Sequence, residues 1–239
     1  MNMSRKSISW AGRLAATTAI LSASPLSLFA QDFTVRMKMD NGADGTTYYV
    51  SPNAIRRTSP GGNDIIDRLD RGTIIYLDHR SKTYKEGPVA EARQAIAKGM
   101  ANLDPQKQAM LHQMGLDAPP QLSKIGPGEN IAGYPTEKYL LKTGMAQGEL
   151  LITQSLQFPA AYYRDFNLLS GVAGPFGDGG KIAEVHGVVL KRTMTGAMGR
   201  GMNSSETAVA VEKGSIPASM FEPPAGYRKV SGQQSKDIQ

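Results

Sequence analysis

From Phe33 the chain alternates. Phe33, Val35, Met37 and Met39 fall on one side of an extended run, and Thr34, Arg36 and Lys38 fall on the other. That is the period of a strand with one dry face and one wet face. A turn at Asp40-Asn-Gly-Ala-Asp-Gly45 follows, then strand-like runs at 46–50 and 54–58 with Pro52-Asn53 between them. Beyond Pro60–Asn63 come 64–69, a turn at Asp70-Arg-Gly72, 73–77, a turn at 78–82, and 83–86. Connections this short join only neighbouring strands, so the first half of the chain is predicted to be an antiparallel meander.

The period then changes. Val89, Ala92, Ile96, Met100 and Leu103 recur at helical spacing, with Glu91, Arg93 and Lys98 on other faces. Asp104 followed by Pro105 is an N-cap with proline in the first helical position, and Gly115 is a natural stop. Two helices, or one broken helix, are therefore expected across 88–115. Sheet resumes after Pro119-Pro120, with strands at 122–126, 136–142 and 149–153 and a closing hairpin from 186–195 and 205–211. A short helix is expected over Phe158–Leu169, loops over 174–180 and 196–203, and a disordered tail over 231–239. The fold class that follows is α+β, with about 11 antiparallel strands and one helical block in a single domain spanning 31–230.

Residues 1–30 have the layout of a signal peptide. Arg5, Lys6 and Arg13 supply positive charge, Leu14–Ala23 is a short apolar run, and Pro25 precedes a cut expected after Ala30. The run is shorter than the roughly 20 apolar residues that span a bilayer. The expected location is the periplasm, or outside the cell. The chain contains no cysteine, so thiol nucleophiles, thiolate metal sites and disulfides are excluded, and the fold must rest on its core. Three of the 27 Lys and Arg lie in the leader, leaving 24 against 21 acids, a balance of only +3. Charge this mild, and without clustered Lys and Arg among aromatics, points away from nucleic acid.

Chemistry is sparse. There is no Gly-x-Ser-x-Gly and no His-Glu-x-x-His. The histidines, His79, His112 and His186, are far apart and read as surface or packed residues. Asp40-x-x-x-Asp44-Gly45 echoes a calcium loop, but Gly42 and Ser51 stand where ligands belong, so a hairpin turn is the better reading. No catalytic residue, cofactor or metal site is assigned, and an enzyme is the least expected outcome. Methionine is the one compositional signal, with Met37 and Met39 on one strand side and Met194, Met198 and Met202 at intervals of four. Thioethers suit Cu(I), but they also fill irregular apolar space, so methionine-based copper binding stands as a minor alternative.

Three segments carry a resemblance. They are Ile74–Glu86, an apolar strand turning through Asp and Lys into Thr-Tyr; the corner Ile131-Ala-Gly-Tyr-Pro-Thr-Glu-Lys-Tyr139; and Met220-Phe-Glu-Pro-Pro-Ala-Gly-Tyr227. In these the chain resembles a bacterial exported domain-of-unknown-function family related to the lipoprotein-sorting (LolA/LolB-like) superfamily. Many relatives have a cysteine near the corner where this chain has Thr136. The resemblance implies a bent antiparallel β half-barrel with covering helices, whose concavity in the wider superfamily accepts acyl chains or lipoproteins. On that basis Phe33, Val35, Met37 and Met39 are expected to face Ile96, Met100, Met110 and Met114 across a hydrophobic ligand, a lipid or lipidated peptide. Burying ten methylenes there would contribute on the order of 8 kcal/mol before ordering costs. The alternative is a structural or interaction module with a closed core that binds an envelope protein partner.

Overall fold

The structure is a computed structural model that describes residues 31–113, 120–144, 146–166, 185–196 and 203–230. Six strands come first: β1 (Phe33–Met39), β2 (Asp44–Val50), β3 (Ala54–Thr58), β4 (Asn63–Arg68), β5 (Thr73–Asp78) and β6 (Thr83–Pro88). Two helices follow, α1 (Val89–Ala101) and α2 (Pro105–Gln113). The remaining strands are β7 (Gln121–Pro127), β8 (Glu137–Lys142), β9 (Ala146–Thr153), β10 (Val188–Gly196), β11 (Ser204–Lys213) and β12 (Arg228–Lys229). All twelve form one sheet in the order β12-β6-β5-β4-β3-β2-β1-β11-β10-β9-β8-β7. The loops predicted at 174–180 and over most of 196–203, and the tail after residue 230, lie outside the described residues.

The sheet corrects the expected fold class. It is a single open sheet, and β12 runs parallel to β6, which makes it mixed rather than antiparallel throughout. It is not an α+β half-barrel under covering helices. The principal contact of α1 is with its sequence neighbour β6, and α2 buries no side chain. The reason is visible in α2, where Ala109, Met110 and Leu111 are consecutive. Successive helical residues point about 100° apart, so these three make no stripe that could seat on a sheet.

Two short segments do the covering, one with a π turn at Tyr162–Phe166 and one with a 3-10 turn at Ala218–Phe221. On one face of β1–β4, Leu156, Phe158, Tyr162 and Tyr163 pack against Phe33, Val35, Met37, Val50 and Ile55. On the other face, Phe221 joins Ala54, Ile66, Ile75 and Leu77, flanked by Ile216, Met220 and Tyr227. Strand alternation separates the two layers, since Tyr48 pairs with Arg57 while its neighbour Tyr49 pairs with Arg56. A third cluster, with Leu122, Tyr139, Leu141, Leu150, Ile152 and Met194, holds the β7–β10 end. There β9 and β10 approach closely at Gly148, where a Cβ would stand 2.0 Å from the Thr193 carbonyl oxygen.

Candidate functional site

The strand face predicted to hold a ligand is occupied by the protein itself. Phe33, Val35 and Met37 are 4%, 0% and 4% exposed, and Met39 is half-buried. The ring of Phe158 lies over this face, with centroids 6.1 Å from Phe33, 6.2 Å from Tyr48 and 5.1 Å from Tyr162. Tyr163 pins the covering segment: its hydroxyl accepts from the amides of Phe158 (3.1 Å) and Gly187 (2.9 Å) and donates to the Gly187 carbonyl (3.0 Å). A π turn, Tyr162–Phe166, follows. Of the helical residues expected opposite, Met110 is 56% exposed, and the side chains of Ile96, Met100 and Met114 lie outside the described residues. The structure thus brings Phe33, Val35 and Met37 together under aromatic rings and leaves Met110 in solvent. Met37 and Met194 sit in separate clusters, and Met198 and Met202 lie outside the described residues.

A charged groove of about 350 Å³ opens at the other end of the sheet, lined by Pro127, Gly128, Glu129, Lys138, Glu149, Leu151, Lys191 and Thr193. Register explains the lining. Lys138 pairs with Leu151 and Leu151 with Lys191, so one row across β8, β9 and β10 puts two ammonium groups on either side of a buried leucine. Lys138 Nζ lies 3.0 Å from Glu149 Oε2, and Lys191 Nζ lies 2.8 Å from Glu129 Oε1. The Lys191 ammonium, through its hydrogen bond, holds the Glu129 carboxyl below the usual carboxylate range.

One wall of the groove grows out of the Ile131–Tyr139 stretch. Ile131 and Tyr134 exchange two backbone hydrogen bonds of 2.9 Å around Ala132 (φ 49°) and Gly133 (φ 84°), a two-residue turn with both central residues left-handed. Thr136 then ties the wall down, accepting the Gly128 amide on its carbonyl (2.8 Å) and donating its hydroxyl to the Glu129 carbonyl (2.6 Å). Gly128 suits this place because a Cβ there would lie 2.3 Å from Thr136 Oγ1. Behind the wall Tyr139 donates to Glu137 (2.8 Å), and burial together with that carboxylate pushes the phenol up to about 12.

A second polar cluster fastens the C-terminal segment to β3–β6. Asp64 is buried and accepts from Arg56 through Nε (2.9 Å) and Nη2 (2.6 Å). His79 Nε2 lies 3.0 Å from the same carboxylate, and its Nδ1 is 2.5 Å from the Tyr227 hydroxyl. Arg56 Nη1 also donates to the Met220 carbonyl (3.0 Å), and Arg68 bridges Asp70 and Glu222. Sequence reading treated His79 as an ordinary residue. What it missed is that two of the three resemblance segments, those containing His79 and Tyr227, meet at this cluster. Among the described residues no group of three or more His, Asp or Glu is arranged to hold a metal ion.

The family described as domain of unknown function DUF4412 matches residues 29–227. No curated protein matches the chain. A solved structure titled "Structure of PNGF-II in C2 space group" is similar to it at 11% identity and a TM-score of 0.45, covering 84% of this chain and 30% of that one. The chain therefore spans less than a third of that protein, and a likeness at this level carries nothing about function.

Proposed function

The chain belongs to the DUF4412 family, and from that premise we propose that it is a non-enzymatic module of the cell envelope that binds a protein partner through its charged groove. The observation that carries the reading is the aromatic layer over the predicted ligand face. A hydrophobic ligand seated on Phe33, Val35 and Met37 has to displace Phe158 and Tyr162, which are 5% and 0% exposed. Losing a buried aromatic side chain from a core costs about 3–5 kcal/mol, a large share of what an acyl chain would return. The groove carries no such cost. Its ion pairs are partly exposed, and pairs open to solvent in this way contribute little, so an incoming charged segment exchanges one partner for another. No long apolar helix is present among the described residues; the envelope location rests on the leader.

The test pairs two measurements on the mature chain. Native mass spectrometry after incubation with phospholipid vesicles is expected to return the unliganded mass. A photo-crosslinking side chain at Thr193 in the groove is expected to yield a protein adduct in envelope extracts, one that disappears on Lys138→Glu with Lys191→Glu. A stoichiometric lipid adduct in the first measurement, with no groove-dependent adduct in the second, overturns the reading in favour of a carrier.

A further inference from the structure

A buried carboxylate sits under the aromatic segment with one oxygen unserved. Asp67 on β4 is 1% exposed, and its Oδ2 has no hydrogen-bond partner. On β3, Arg57 presents a buried Nε that is likewise unpartnered. Pairing of Ile55 with Asp67 and of Arg57 with Ile65 sets the two side chains on a diagonal of one face. Tyr48 (paired with Arg57) and Tyr76 (paired with Ile65) flank them on the same face, and Tyr162 from the covering segment acts on both charges. Arg57, Tyr48, Tyr76 and Tyr162 are the titratable or charged groups facing Asp67 among the described residues. A charge buried with incomplete hydrogen bonding is among the costliest features of a core, and the cost disappears if the group is neutral or wetted.

We propose that Asp67 is a proton-controlled catch for the aromatic segment 156–164: protonated, it lets the segment seat on the sheet, and ionised, it favours the segment's release. The argument goes beyond the groove reading and stands whichever partner the groove takes. With the segment seated, burial pushes the Asp67 carboxyl from its ordinary 3.8 up to about 6, against the opposing charge of Arg57. With the segment lifted, water reaches the carboxylate and the ordinary value returns. By linkage the opening equilibrium then grows about tenfold between pH 5 and pH 7.5. Opening bares the strand face of Phe33, Val35 and Met37, so the device controls access to apolar surface that is closed at low pH.

Hydrogen exchange of the mature protein, corrected for intrinsic rates, reads this directly at the amides of Leu156, Phe158, Tyr162 and Tyr163. They are expected to open more readily than amides of β4 and β5, about tenfold more so at pH 7.5 than at pH 5. Asp67→Asn keeps the shape, removes the titration, and is expected to hold the segment at its low-pH protection throughout. A pH-independent wild-type profile overturns the proposal without needing any variant. So does a profile in which the segment exchanges only together with β4 and β5, or an Asn variant that keeps the tenfold change.

Discussion

Tyr163→Phe removes one oxygen and leaves the ring that packs against Phe158, and it is the cleanest probe of what holds the aromatic layer down. That oxygen serves three backbone groups, the amides of Phe158 and Gly187 and the carbonyl of Gly187. Tyr163 is buried, so the two N–H groups are left in an environment with little water. Each buried donor without a partner costs about 1–3 kcal/mol, and the lost Tyr hydrogen bonds are the same term counted from the other side. Allowing one of the two amides to find water, the expected destabilisation is about 1–3 kcal/mol. In urea, with a slope of about 2–3 kcal/mol/M for a domain of this size, the midpoint falls by about 0.5–1 M. Surface substitutions away from such contacts fall within about 0.5 kcal/mol, so a Tyr163→Phe midpoint that stays within that range of the wild type refutes the idea that the hydroxyl pins the segment.

Other expectations follow from single contacts. Ala132→Gly relieves a left-handed alanine and is expected to raise stability by about 1 kcal/mol in thermal unfolding, a cost typical of L-residues there. Gly148→Ala drives a Cβ against the Thr193 carbonyl and is expected to lower stability by about 1–3 kcal/mol as overpacking, read as a fall in Tm. Asp67 has a folded value raised to about 6 over an ordinary 3.8, so its contribution is fully present below pH 3.8 and lost as pH rises through 6. That loss amounts to about 3 kcal/mol, and urea midpoints of Asp67→Asn measured from pH 4 to pH 7.5 are expected to lack it. Tyr227→Phe removes the hydroxyl beside His79 and is expected to speed exchange at the Arg228 and Val230 amides, which bond to Lys82 and Tyr84.

What the sequence disclosed follows the range of the interactions involved. Alternation such as Phe33–Met39 is local, and the strands with such a pattern lie where it predicts. Arg228–Lys229 has only two residues and no alternation, so its parallel pairing with β6 had no local signal. The helices show the opposite failure. The residues at 89–103 do recur at helical spacing, but recurrence says that a helix forms, and only the contacts say whether it covers a sheet. The eight residues proposed to line a ligand site were chosen from apolar character, which a closed core and an open pocket share. Phe158 and Tyr162, which pack over this strand face, come from a segment read only as a short helix. The groove was hidden for a different reason: Lys138, Glu149 and Lys191 look like ordinary wet strand positions until register aligns them around Leu151. Its wall was legible in part, because Ala-Gly between Ile131 and Tyr134 is a corner in the sequence as well.

The two covering segments use different chemistry, and that difference assigns them different work. The C-terminal segment lies on its face with Phe221 buried and is tied by side chains that reach out from the sheet, Arg56 to the Met220 carbonyl and Arg68 to Glu222, with His79 meeting Tyr227. Those ties are satisfied pairs, and breaking any one leaves a polar group of the sheet without its partner, so this segment is a permanent part of the fold. The segment from Leu156 to Tyr163 is held by ring packing and by the Tyr163 hydroxyl, and its Tyr162 lies beside Asp67 and Arg57, whose polar atoms are not all served. Seating it therefore carries an electrostatic penalty that the other side of the sheet lacks. An open sheet with one face fastened and the other covered against a penalty is asymmetric in how readily it opens. The asymmetry points to the Phe158 side as the face that moves.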